Sequence, residues 1–166
     1  MGGATISFLN MITGLKERRC EVWVVLPNCD EDFIRILDEI GVGFRICPLE
    51  TSIFVKHHNR LKELLFFLPR IFKKEYKKRR SFTALYKIVK EVRPDIIHTN
   101  TGVIHEGYKC AKKCSIPHVW HLREYQDKDF HWEIYPSRKK FEQYLNDSYV
   151  ITIRSEERRV GKECRS

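Results

Sequence analysis

The sequence has no CxxC pair, no repeat or low-complexity tract, and no apolar run near the ~20 residues that a membrane-crossing helix needs. Its six cysteines (20, 29, 47, 110, 114 and 164) are scattered, and only Cys110 and Cys114 would share a helix face. No second ligand pair joins them, so no metal site is expected. Ordinary thiols in a reduced, cytosolic setting fit better. The lack of repeats and biased tracts argues against fibrous and disordered classes. The opening stretch, MGGATISFLNMITGLKER, has no basic leader, and its apolar residues are spaced for one helix face. It is not read as a signal peptide.

What is present is a chain of 166 residues, 42% hydrophobic, enough for one domain with a real core. The net charge is +9, and much of it is local. RIFKKEYKKRR, residues 70–80, carries seven basic residues and one acid. Anionic lipid, nucleic acid or an anionic substrate could meet such a run.

Gly2 and Gly3 stand directly before an amphipathic helix. Two glycines at a helix start let backbone N–H groups approach a phosphate, where the helix dipole favours negative charge. Such a loop normally follows a buried parallel strand. Only Met1 precedes it here, so a first strand is expected to be missing.

The rest of the chain alternates. Ile6, Leu9, Ile12 and Leu15 mark a helix over about 3–18. CEVWVVLP (20–27) reads as a strand buried on both faces. DEDFIRILDEIG (30–41) is a helix with acids in its first turn and glycine at its end. VGFRICPL (42–49) is a strand, 59–93 a helix interrupted at Pro69, and DIIHTN (95–100) a strand. A helix over 103–115, a strand within 116–124, a helix near 138–147 and a strand at 148–153 complete the series. Strands alternating with helices predict a Rossmann-like parallel sheet flanked by helices. The polar segment RSEERRVGKECRS, from Arg154, is aperiodic and follows abruptly on a strand. The domain is therefore taken as 1–153, with 154–166 a non-native or disordered tail.

In open α/β sheets, ligands sit beyond the carboxyl ends of the strands. Gly2, Gly3, His98, Asn100, Thr101, His121, Arg123 and Glu124 would gather there. Glu106 would face the same edge from a helix start. His98 also reads as a structural strand residue, and Arg123 and Glu124 as a surface pair. His57, His58 and His131 read as solvated loop residues.

GGATISFLNMITGLKERRCEVWVVLP, VRPDIIHTN and SIPHVWHLREY, in this order and spacing, resemble the N-terminal domain of glycosyltransferase family 4. The likeness covers about residues 2–153. It implies the N-terminal domain of a GT-B fold that lacks its first central strand. It also implies a retaining enzyme that moves a sugar from a UDP- or GDP-sugar to a glycan or lipid-linked acceptor. No other cofactor and no metal are implied. The family's second, nucleotide-sugar-binding domain is not part of this sequence, so the chain alone is expected to be inactive. The alternative is a non-catalytic binding or membrane-docking module.

The resemblance assigns His121 the catalytic position near the transferred sugar. The position at the carboxyl edge of the strands, rather than the resemblance, makes Gly2, Gly3, Asn100, Thr101, Arg123 and Glu124 the substrate-binding candidates. Arg19 stands where the family usually closes its first helix with glycine, so a strained left-handed cap is expected there.

LKELLFFLPRIFKKEYKKRR (61–80) is a second candidate site. Phe66 and Phe67 with Lys73, Lys74, Lys77 and Lys78 suit docking on an anionic membrane surface. The bland alternative is aromatics packed on the sheet and lysines on a solvated face. No stacking platform or DNA-reading motif accompanies the charge, so nucleic acid is not expected as a partner. The expected setting is cytoplasmic, with the inner membrane face as the place of any docking.

Overall fold

The computed structural model describes residues 3–54, 60–122 and 133–153. Helix α1 (Gly3–Glu17) leads to strand β1 (Trp23–Leu26), helix α2 (Glu31–Ile40) and strand β2 (Gly43–Ile46). Strand β3 (Ile53–Phe54) precedes the 33-residue helix α3 (Arg60–Val92) and strand β4 (Ile97–Thr99). Then come α4 (Glu106–Cys114), β5 (His118–Leu122), β6 (Glu133–Ile134), α5 (Arg138–Asn146) and β7 (Val150–Ile153). Residues 2, 57, 58, 123, 124, 131 and 154–166, singled out in the sequence, lie outside the described residues.

The chain is mixed α/β, but its sheets are small. β1 and β2 pair in parallel, β4, β5 and β7 form a separate parallel sheet, and β3 pairs antiparallel with β6. β1 and β4 are not hydrogen-bonded to each other.

Side-chain alternation along β1 explains how the two sheets share one body. Val24 points into a core with Ile12 of α1, Leu37 of α2 and Val42. Val25 points the other way, toward Leu85 and Val89 of α3 and Cys110 of α4. Ile97 of β4 packs on that same second cluster. The third core lies under β5, where Trp120 is fully buried among Tyr108 and Phe141. Burying about 200 Å² of aromatic surface at ~25 cal/mol per Å² contributes on the order of 5 kcal/mol there.

Local signals set the boundaries. The Asp30 side chain accepts from Phe33 N–H at 3.1 Å and starts α2, and Gly41, at φ 70°, ends it. Arg19 takes the equivalent left-handed position after α1 at φ 62°, its N–H bonded to the Lys16 carbonyl at 2.8 Å. A side chain in that region costs ~1–2 kcal/mol. Arg19→Gly is expected to stabilise the domain by about 1 kcal/mol, less than the full strain because glycine also loosens the unfolded chain. Urea denaturation checks this, and a lower midpoint would contradict it.

One expectation needs correcting. Pro69 does not interrupt α3, which runs through it. A proline inside a helix removes one hydrogen bond and costs ~3 kcal/mol. Here Pro69 is exposed, on a turn open to water, and the helix beyond it is anchored in the core through Leu85 and Val89. The β3–β6 pair was not foreseen, because two-residue strands carry no periodicity.

Candidate functional site

The carboxyl edge of β4 and β5 brings two histidines together. His98 is opposite Val119 in the parallel register, so His98, Val119 and His121 share one face of the sheet. The His98 and His121 rings are stacked, 6.0 Å between centroids and 7° between planes. Both are partly buried. Each imidazole can donate or accept a hydrogen bond at the sheet edge.

The loop after β4 is held from below. Trp120 Nε1 donates to the Thr101 carbonyl at 2.8 Å, and the Thr101 hydroxyl accepts from Val103 N–H at 3.3 Å. That hydroxyl keeps its own hydrogen as a donor. Asn100 is partly buried beside it.

The opposite face of β4–β5 is a packed floor. His118 Nε2 lies 2.9 Å from Thr99 Oγ1, and its Nδ1 lies 3.2 Å from Ser148 Oγ. Burial, with a smaller contribution from nearby His98, pushes the His118 pKa down to about 4. α4 seats closely on this floor. A Cβ at Gly107 would collide with Thr99 Oγ1, so glycine is required for the approach.

His105, just before α4, is fully buried against Phe141, with centroids 4.9 Å apart and planes at 9°. Its pKa is pushed down to about 3, mainly by burial and further by Lys78 and Lys109. A poorly aligned contact with the Gly102 backbone offsets this only slightly.

Two readings of charge change. Glu106 was placed at the ligand edge, but it is fully buried, and its Oε1 lies 2.9 Å from Lys78 Nζ. Lys78 was placed on a solvated, membrane-facing surface, but its side chain is only 3% exposed. Its amine also donates to Ser52 Oγ. Lys74 is turned inward too, 3.6 Å from Glu50 and 12% exposed. Burial lowers its pKa, and Glu50 partly restores it. The cause is helical phase. Lys74, Lys78 and Ser81 continue, at steps of four and three, the inward line of Leu85 and Val89.

The other sequence candidates differ in their surroundings. Gly3 is exposed at the start of α1, with open space around it, and α1 packs with β1, α2 and β2. Gly2, Arg123 and Glu124 lie outside the described residues, as does the Phe66 side chain. Phe67 packs edge-on against Phe54 at 5.9 Å and stays 41% exposed. Lys73 is exposed, and Lys77 is half exposed, 3.8 Å from Glu50. His118 and the Lys78–Glu106 pair were missed. The inward phase of α3 was the available signal for the pair. Among the described residues, no grouping of three or more His, Cys, Asp or Glu could hold a metal. No described helix is long and apolar enough to cross a membrane.

Parallel βαβ units with polar residues at the strand ends make this a mixed α/β domain. The family model described as Glycosyltransferase Family 4 matches residues 1–163, and the chain belongs to that family. Comparison with curated proteins and with solved structures returned no match.

Proposed function

We propose that this is the acceptor-side, N-terminal domain of a retaining GT-B glycosyltransferase. In this reading the donor is a UDP- or GDP-sugar, and the acceptor is a glycan or a lipid-linked glycan. Donor binding and turnover need a second, nucleotide-sugar domain. Family membership supports the reaction class. The stacked His98–His121 pair beside Asn100 and Thr101 is the observation that supports the site.

Sugar transfer requires charge stabilisation on the departing phosphate and alignment of sugar and acceptor. The His121 imidazole can donate to a sugar hydroxyl or phosphate oxygen. His98 stacks beside it. The Thr101 hydroxyl, already accepting from Val103 N–H, keeps a hydrogen to donate. In the protein that joins this domain to its nucleotide-sugar domain, His121→Ala is expected to lower turnover about 10²–10³-fold. The thermal midpoint should hold. Wild-type turnover in the variant would remove His121 from the mechanism.

A second reading, peripheral docking on an anionic membrane, has its own observation. Leu68, Phe72 and Tyr76, spaced four apart on α3, are 62%, 72% and 68% exposed. Exposed Lys73, Lys77 and Arg80 flank this stripe. Such a face combines apolar insertion with ~1 kcal/mol per basic residue near lipid. Vesicles containing phosphatidylserine are expected to sediment the protein at low salt, and much less at ~0.5 M, where the Debye length is short. Phe72→Ser with Lys73→Glu and Lys77→Glu should abolish sedimentation without unfolding. Unchanged sedimentation of that variant would assign the stripe no role.

A further inference from the structure

We propose that a cleft between α3, α4 and α5, on the helical side of the domain, binds a small molecule or headgroup bearing a diphosphate. The cleft is a shallow one, open to solvent, with a volume of about 690 Å³, within the range of small-ligand sites. Six basic residues line it: Lys78 and Arg79 from α3, Lys109, Lys112 and Lys113 from α4, and Lys140 from α5. Glu75 is the one acid in its lining.

The ion pairs do not use up this charge. Lys78 is matched by Glu106, Lys112 by Asp147 at 2.6 Å, and Arg79 more loosely by Glu75 at 3.5 Å. Lys109, Lys113 and Lys140 make no close ion pair among the described residues, although Glu106 and Glu75 act on Lys109, and Asp147 on Lys140, from farther away. The Lys113 ammonium lies 4.5 Å from the centre of the Tyr86 ring, and that of Lys140 lies 5.7 Å from the centre of the Tyr144 ring. Aromatic faces hold these cations in place without neutralising them.

Lys112 and Lys113 also sit in the last turn of α4, where cations offset the helix dipole. That role does not explain Lys109 or Lys140. Lys109 is half-buried, and its pKa is lowered by burial and then by Lys78. Cations gathered from three helices repel one another, and a multivalent anion relieves that cost. A diphosphate spreads its charge over enough oxygens to reach several ammonium groups at once. The rings of Phe82, Tyr108 and Tyr144 leave a wall for the uncharged remainder of the ligand.

Titration of the 166-residue chain with inorganic pyrophosphate, followed by calorimetry at low salt, tests the site. Saturable binding of one pyrophosphate is expected, at least tenfold weaker at ~0.5 M salt. Lys113→Glu with Lys140→Glu should weaken it at least tenfold and leave the thermal midpoint in place, because both side chains are exposed. Lys87→Glu, exposed on α3 but outside the cleft lining, is the control and should change affinity less than twofold. Binding absent at millimolar pyrophosphate, or weakened equally by Lys87→Glu, overturns the site. Vesicles bearing diacylglycerol diphosphate, added during the titration, separate the two sources of such phosphate. Displacement of pyrophosphate assigns the site to a lipid headgroup, and undisturbed binding assigns it to a soluble diphosphate. Neither readout depends on sugar transfer.

Discussion

Lys78→Ala is expected to destabilise the domain by about 3–5 kcal/mol. That is the usual cost of removing one partner from a buried ion pair and stranding the other charge. Glu106 has nowhere to turn. It is fully buried, and its second carboxylate oxygen has no hydrogen-bond partner among the described residues. The Ser52 hydroxyl would also lose the amine that donates to it. Against a typical total stability of 5–15 kcal/mol, such a loss would populate the unfolded chain at physiological temperature. Lys78→Met combined with Glu106→Leu removes both charges and keeps most of the volume. That pair should recover most of the loss, since an apolar replacement of a buried pair is often neutral. The measurement is the urea midpoint of Lys78→Ala, of Lys78→Met and Glu106→Leu singly, and of the double variant. A Lys78→Ala loss below about 1 kcal/mol, or a double variant as weak as the sum of the singles, would show that the pair is not coupled.

Acid should destabilise the domain well before its carboxylates titrate. His118 and His105 have pKa values pushed down to about 4 and about 3. In the unfolded chain both return to about 6.5. Between those limits the unfolded state binds protons that the folded state refuses. Stability therefore falls as pH drops below 6.5 and keeps falling until the folded values are reached. At pH 5 each histidine costs about 2 kcal/mol, so together about 4 kcal/mol. Asp147, held below the usual carboxylate range chiefly by its hydrogen bond from Lys112, acts in the same direction at lower pH. Urea midpoints between pH 7.5 and 5 should slope steeply for the native chain. His118→Gln should lose a comparable share of that slope. A flat profile across this interval would mean that neither histidine is held neutral by the fold.

The order of helices and strands was legible because each element carries its own period or cap. Val24 and Val25 announce a strand with two buried faces, and Asp30 and Gly41 bracket α2. The ligand edge was legible for a topological reason, since parallel strands place His98 and His121 at the same end. Their stacking was not legible, because it depends on register between strands distant in sequence. The basic run misled for a physical reason. Seven cations in eleven residues suggest a solvated surface, but a helix distributes them around its axis. One phase of that rotation carries Lys74 and Lys78 inward, toward Glu50 and Glu106. Composition counts charges, whereas burial depends on angle.

The C-terminal half of α3 gives the described sheets a common anchor. Val25 of β1 and Ile97 of β4 both pack on one cluster with Leu85 and Val89 of that helix. Such contacts are non-directional burial shared among neighbours, so a loss at one helix position is felt by both sheets at once.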